Sequence, residues 1–142
     1  MSGKTPLGAT NKPVSRKTRT MAENKKLVVV VTRGFDDERS SVAWSVANGA
    51  INSGLDVTMF LVSSGVDWVR KGAADGAQLN PFDPSMGEMV RNVIDAGSDI
   101  LVCPPCSKVR GYADSDLIDE ITITGSGAMH ELIKQGAATL SF

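Results

Sequence analysis

A continuous apolar run from Leu27 to Thr32 (L-V-V-V-V-T) constrains the fold of this chain more than any other feature. Runs of this kind are typical of strands buried on both faces, as in a parallel sheet covered by helices. The stretches Leu55 to Val62 and Asp99 to Val102 have the same character, and helical patterns lie between them. The chain therefore has the pattern of an α/β domain.

Apolar residues spaced three and four positions apart predict the helices between these strands. Helices are predicted over Ser40 to Ser53, from Pro84 (capped by Asp83) to Gly97, over Ser107 to Tyr112 and over Ala128 to Gln135. Two further strands are predicted over Ile121 to Thr124 and Ala138 to Phe142. We expect a doubly wound, mostly parallel five-stranded sheet with helices on both faces.

The first predicted helix carries an apolar stripe that includes Val42, Ala43, Val46 and Ala47. Trp44 lies off the centre of this stripe. It is interpreted either as a half-buried boundary residue or as an anchor in a subunit interface, where tryptophan is enriched.

Charge is distributed unevenly along the 142 residues. Residues 1–26 hold seven Lys or Arg and one Glu, a net charge of about +6. The remainder holds eight Lys or Arg and fifteen Asp or Glu, a net charge of about −7. We predict a disordered basic tail over 1–26 and one α/β domain over 27–142. The acidic domain lacks the electrostatic pattern of a nucleic-acid binder, so no nucleic-acid partner is expected.

Two further classes of protein, membrane proteins and proteins built on a disulfide framework, are disfavoured by the composition. No apolar segment approaches the ~20 residues that a transmembrane helix needs, so no membrane partner is expected. The two cysteines are too few and too close for a disulfide framework, which indicates a reducing, cytoplasmic location.

Both cysteines lie in the stretch Ile100 to Tyr112, I-L-V-C-P-P-C-S-K-V-R-G-Y. If a strand ends near Cys103 and a helix follows, exposed amides and the helix dipole would stabilise a thiolate there. Lys108 and Arg110 would add positive charge. Pro104 and Pro105 act against this because neither has an N–H to donate. The alternative is that both thiols only pack.

Glycine-containing turns follow the other strands, at Gly34, Gly65 and Gly125. With right-handed crossovers, these turns and Cys103 should meet at the carboxyl edge of the sheet, where α/β proteins bind ligands. No complete G-x-G-x-x-G or P-loop is present, so no nucleotide cofactor is expected. Two cysteines and the distant His130 are too few for a usual zinc site, so no metal is expected.

The order of V-S-S-G-V-D-W-V-R-K-G, V-C-P-P-C-S-K-V-R-G-Y and D-L-I-D-E-I-T-I-T-G after the opening strand resembles the DsrE/DsrF-like (YchN-like) family of sulfur-relay proteins. The resemblance covers Lys26 to Phe142. It implies a homotrimer or hexamer in which Cys103 carries a persulfide, and Cys106 matches a second cysteine found in many members. The Pro104-Pro105 pair departs from the small residues commoner there.

Three functional hypotheses follow. The first is a persulfide carrier, a sulfurtransferase-like subunit that uses Cys103 to relay sulfur between donor and acceptor proteins. The second is a redox switch in which Cys103 and Cys106 cycle between thiols and a disulfide. The third is a non-catalytic oligomeric module that binds a small molecule or a partner protein while its thiols only pack.

Overall fold

The computed structural model describes residues 25–142, whose five strands form a single sheet in the order β4-β3-β2-β1-β5. Every strand pairs in parallel with its neighbours. The strands are β1 (Lys26–Val31), β2 (Asp56–Leu61), β3 (Asp99–Val102), β4 (Thr122–Ile123) and β5 (Ala138–Ser141). The helices are α1 (Arg39–Asn52), α2 (Met86–Asp95), α3 (Pro104–Val109) and α4 (Gly127–Lys134), with 3₁₀ helices at Ser63–Val69 and Asp114–Asp116.

The two faces of the sheet are covered unequally. Alternate side chains of each strand point to opposite faces, so Val29 and Val31 join the larger apolar cluster, whereas Val28 joins the smaller one. The larger cluster includes the buried sides of α1 and α2. Three half-buried side chains of α4 (Ala128, Met129 and Leu132) pack against the smaller cluster. The predicted α/β fold with helices on both faces is confirmed.

Several predicted boundaries move by one or more residues, and three of these shifts have an identifiable physical reason. β1 begins at Lys26, whose ammonium lies 3.8 Å from the Asp56 carboxylate, rather than at Leu27. The prediction of a disordered tail otherwise lies outside the described residues. α2 begins at Met86, because the Ser85 hydroxyl accepts from the Glu88 amide and caps the helix. Asp83 instead accepts a hydrogen bond from the Ser41 hydroxyl at 2.9 Å.

The third shift moves the start of α3 to the end of β3, with only Cys103 between them. The sequence predicts a helix over Ser107 to Tyr112, but the structure has it over Pro104–Val109. Pro104 and Pro105 occupy its first turn, where proline is favoured because amides there have no partner within the helix. This places Cys103 at the N-cap position of α3.

Trp44 corrects the interpretation of α1. Its side chain is fully buried within this one chain, so both the half-buried and the interface interpretations are wrong. Val42, which was expected on the core-facing stripe, is 41% exposed. The apolar pattern is ambiguous here because α1 buries Ser40, Ser41 and small alanines on the side that carries Trp44.

Candidate functional site

Cys103 lies where β3 ends and α3 begins. Its amide donates to the Leu61 carbonyl at 3.0 Å, so the pairing of β3 with β2 continues through this residue. Its backbone is extended (φ −65°, ψ 121°), and the helix follows at once. The side chain is partly buried and packs against the smaller apolar cluster with Val62. The thiol is therefore fixed at the carboxyl edge of the sheet.

The second thiol lies in direct contact with the first. The Cys106 Sγ donates to the Cys103 Sγ across 2.8 Å, and both cysteines are free and partly exposed. Cys106 packs against the larger apolar cluster, on the other side from Cys103. One turn of α3 thus brings together two thiols that approach from the two faces of the sheet.

The protonation of Cys103 differs from the sequence expectation. Burial raises the pKa of the Cys103 thiol above its ordinary value, and the Cys106 sulfur raises this pKa further when Cys103 is the donor in their shared hydrogen bond. The Cys106 amide opposes this rise with a smaller effect. Neither Lys108 nor Arg110 is among the causes of this shift, and the direction of the shift is opposite to the one expected from the sequence.

Arg110 contacts the backbone beside the thiols and not the sulfurs themselves. Its guanidinium donates to the Cys106 carbonyl at 3.0 Å and to the Ser64 hydroxyl at 3.2 Å. Its Nε lies 3.8 Å from the Asp67 carboxylate. These contacts join α3 to the 3₁₀ helix that follows β2. Arg110 therefore positions the helix that carries the thiols.

Lys108 lies in the last turn of the helix that carries Cys106. Its side chain is exposed in the last turn of α3, at the opposite end of this helix from Cys103. A cation there interacts favourably with the carboxyl end of the helix dipole. The structure gives it no contact that supports a role at the sulfurs.

Gly34 and Gly65 allow the turns after β1 and β2 to approach each other. A Cβ on Gly65 would lie against the Val31 carbonyl, well inside van der Waals contact. A Cβ on Gly34 would lie 3.0 Å from the Ser64 carbonyl oxygen. Both glycines bring backbone segments together beside the residues that Arg110 contacts. Their observed role is packing.

Gly125 lies at the carboxyl end of β4, next to the end of β3. The amide of its neighbour Thr124 donates to the Val102 carbonyl at 3.0 Å, one residue before Cys103. A Cβ on Gly125 would meet no atom within 4 Å. The four strand ends therefore lie along one edge, as expected, but Gly125 faces open space.

The sequence gives no signal for the polar network beside Cys106. The Tyr112 hydroxyl donates to the Asp67 carboxylate, and these residues are 45 positions apart. Burial and the Asp67 carboxylate raise the pKa of Tyr112. The Arg70 guanidinium lies 5.3 Å from the centre of the Tyr112 ring. Pairing at such separations depends on the folded chain and has no local pattern.

The described segment has neither a cluster of metal-binding side chains nor a membrane-spanning helix. Within residues 25–142, no group of three or more His, Cys, Asp or Glu side chains is arranged to hold a metal ion. No helix in the same segment is long and apolar enough to cross a membrane.

Comparison with known proteins matches this chain to one family. The model of the DsrE/DsrF-like family matches residues 25–142. An uncharacterized protein of Methanocaldococcus jannaschii is 33% identical over 76% of this chain and 89% of its own length. An uncharacterized protein of Methanopyrus kandleri is 31% identical over 75% of this chain and 81% of its own length.

Two solved structures share the fold. The YchN protein of E. coli superposes with a TM-score of 0.68 at 19% identity, over 84% of this chain and 99% of its own. A protein of unknown function from Methanobacterium thermoautotrophicum superposes with a TM-score of 0.62 at 18% identity, over 84% and 100%. The solved structures show the fold, and the family model matches residues 25–142: this chain belongs to the DsrE/DsrF-like family.

Proposed function

We propose that this protein is a persulfide carrier in which Cys103 holds the transferred sulfur. The observation that carries the proposal is the 2.8 Å contact between the Cys103 and Cys106 sulfurs at the carboxyl edge of the sheet. Both thiols are partly exposed, so a small donor or a partner's thiol can reach them. Membership of the DsrE/DsrF-like family supports chemistry at sulfur.

The transfer consists of two exchanges. The Cys103 thiolate attacks the outer sulfur of a donor persulfide; a new S–S bond forms, and the donor leaves as a thiolate with the bonding electrons. An acceptor thiolate then attacks the outer sulfur of the Cys103 persulfide and releases Cys103. No oxidant is consumed. Because the thiolate is the nucleophile, loss of the Cys103 proton precedes the first attack. Burial opposes this loss.

Intact mass spectrometry after incubation with a hydropersulfide donor tests this role. The wild-type protein should gain one sulfur atom, lost again on reduction. Cys103→Ser should gain none, whereas Cys106→Ser should still gain one. Equal sulfur gain by Cys103→Ser and the wild type would reject Cys103 as the carrier.

A dithiol switch is the second candidate, and the same contact favours it. A disulfide requires about 2.05 Å between the sulfurs, so the observed 2.8 Å leaves a short approach. Closure releases two electrons and two protons to an oxidant such as oxidised glutathione. Equilibration in glutathione buffers, followed by alkylation and mass analysis, measures the potential. If both thiols stay fully reduced in a buffer of oxidised glutathione, the switch hypothesis is eliminated.

Homo-oligomer formation, as a trimer or hexamer, remains part of the proposal. Phe82 is 94% exposed and Val109 80% exposed in the single chain. Single exposed apolar side chains also occur on monomers, so membership of the DsrE/DsrF-like family supports the proposed oligomer and these two residues are its candidate contacts. The non-catalytic module is the remaining alternative, and titration of the native protein with a thiol reagent distinguishes it. Two unreactive thiols would favour that module over both the carrier and the switch.

A further inference from the structure

A cavity of about 440 Å³ opens beside the cysteine helix, and three cationic side chains line it. They are Arg70, Lys71 and Arg110, and Tyr112, Ser115 and Asp116 complete the polar lining. The volume lies within the range of roughly 300–1,000 Å³ that is usual for small-molecule sites.

The backbone that carries these cations is anchored. Arg70 forms an antiparallel bridge with Leu117, and the Lys71 amide donates to the Asp116 carbonyl at 2.9 Å. The Arg70 guanidinium is held at the Tyr112 ring, 5.3 Å from its centre. Arg110 is held by its bonds to Ser64 and to the Cys106 carbonyl. The guanidinium groups of Arg70 and Arg110 are therefore held by side-chain contacts, and Lys71 is held by its backbone.

The charge at the cavity is not balanced by carboxylates. Asp116 is the acidic residue of the lining, and its side chain already accepts from the Ala113 amide at 2.7 Å. Asp67 lies 3.8 Å from Arg110. Among residues 25–142, no carboxylate lies within 4.0 Å of the charged groups of Arg70 or Lys71. An anion would therefore meet two cationic side chains that have no carboxylate partner.

We propose that this cavity binds a small oxyanion, namely the sulfonate end of a sulfane-sulfur donor of the thiosulfate class. The donor class rests on the proposed carrier function, whereas the oxyanion site does not. Guanidinium groups match the oxygens of such anions with paired N–H donors. Arg110 connects the cavity to the thiols because it lines the cavity and also binds the Cys106 carbonyl. Tyr112 and Cys106 pack against the same apolar cluster.

Transfer from such a donor balances without a further reactant. The Cys103 thiolate attacks the outer sulfur of thiosulfate. One S–S bond forms as the S–S bond of the donor breaks. Sulfite leaves with the bonding electron pair. The cavity would hold the sulfonate oxygens of the donor before attack and of sulfite after it.

Sulfate is a suitable first probe because it has the oxyanion geometry and no sulfur to transfer. Isothermal titration with sulfate should show saturable binding to the wild-type protein. The double variant Arg70→Gln/Lys71→Gln should bind at least about tenfold more weakly, since bonds to charged groups are lost. The matched control is Lys25→Gln/Lys134→Gln, which removes two charges outside this lining and should bind as the wild type.

Equal weakening of sulfate binding in both double variants would mean that net charge alone causes it. This result would overturn the proposed site. Binding of an acidic peptide without binding of sulfate would also overturn it. Thiosulfate loading of the thiols, read by intact mass, then tests the donor class. Loading by hydropersulfide but not by thiosulfate would reject that class, and sulfate binding with no loading by either donor would reject the carrier function alone.

Discussion

Cys103 has a raised pKa, which determines how its reactivity should vary with pH. The native state favours the protonated thiol, so the unfolded thiol ionises first as the pH rises. The stability contributed by this thiol is complete below about pH 9 and is lost as the pH rises through the higher native pKa. Reactivity increases over the same interval because the thiolate is the nucleophile.

The neighbouring thiol accounts for part of that shift. Cys106→Ala removes the side-chain hydrogen bond of Cys106, which raises the pKa of Cys103. We therefore expect the midpoint of Cys103 alkylation to move to lower pH in Cys106→Ala than in the wild type. Iodoacetamide rates across pH, with the modified residue identified by fragmentation, measure this. An unchanged midpoint would contradict a role for Cys106 in the pKa of Cys103.

Gly65 provides a second test at a single residue. Gly65→Ala places a methyl group against the Val31 carbonyl, so the two turns must separate. Overpacking of this kind costs about 1–3 kcal/mol. Gly49→Ala is the control: Gly49 lies on α1 with nothing within 4 Å of its Cβ position, and the change should stabilise by roughly 0.5–1 kcal/mol. Urea unfolding compares them, and equal midpoints would contradict the packing role.

The start of α2 is fixed by the side-chain cap of Ser85. Ser85→Ala removes the side-chain oxygen that accepts from the Glu88 amide and should cost about 1 kcal/mol of unfolding free energy. Pro84→Ala, which removes no cap, serves as the control and should change stability less. If urea unfolding showed Pro84→Ala to be the more damaging change, the assigned cap would be incorrect.

The position of α3 depends on Arg110. Arg110→Gln removes the ion pair with Asp67 and disturbs the bonds to Ser64 and the Cys106 carbonyl. Hydrogen exchange of the α3 amides should accelerate, and Cys103 should alkylate faster at a fixed pH. Arg91→Gln is a matched control because Arg91 pairs with Glu120 at 3.6 Å and has no contact with α3 among its described pairs. Equal exchange in both variants would argue against the positioning role.

Local patterns were sufficient for the main elements and insufficient for their precise ends. The apolar runs of β1, β2 and β3 identify the sheet because burial on both faces leaves little choice of residue. The helix starts at Met86 and Pro104 were missed because Asp83 and Ser107 are equally acceptable near a helix start. The placement of Cys103 at the sheet edge followed from strand order alone.

The arrangement around Cys106 could not be predicted from the sequence. Contacts of Arg110 with Ser64 and of Tyr112 with Asp67 span 46 and 45 positions. They arise because α3 packs against the 3₁₀ helix after β2. The direction of the Cys103 pKa shift was wrong for the same reason, since burial depends on the packed chain.

For the whole molecule, we propose a homo-oligomer in which exposed apolar side chains lie at the contacts between subunits. We expect native mass spectrometry to show a trimer or hexamer. Phe82→Ser and Val109→Ser each remove an exposed apolar side chain, and at least one should shift the population toward monomer. Their folded stability should change little because neither side chain is buried in the single chain. A monomeric wild-type protein would contradict this proposal.

The central claim is that Cys103 carries sulfur. The most direct measurement is intact mass with fragmentation after incubation with a hydropersulfide donor, applied to the wild type, Cys103→Ser and Cys106→Ser. We predict one added sulfur on Cys103 in the wild type and in Cys106→Ser, and none in Cys103→Ser. Sulfur found only on Cys106, or equal addition to Cys103→Ser, would contradict the account.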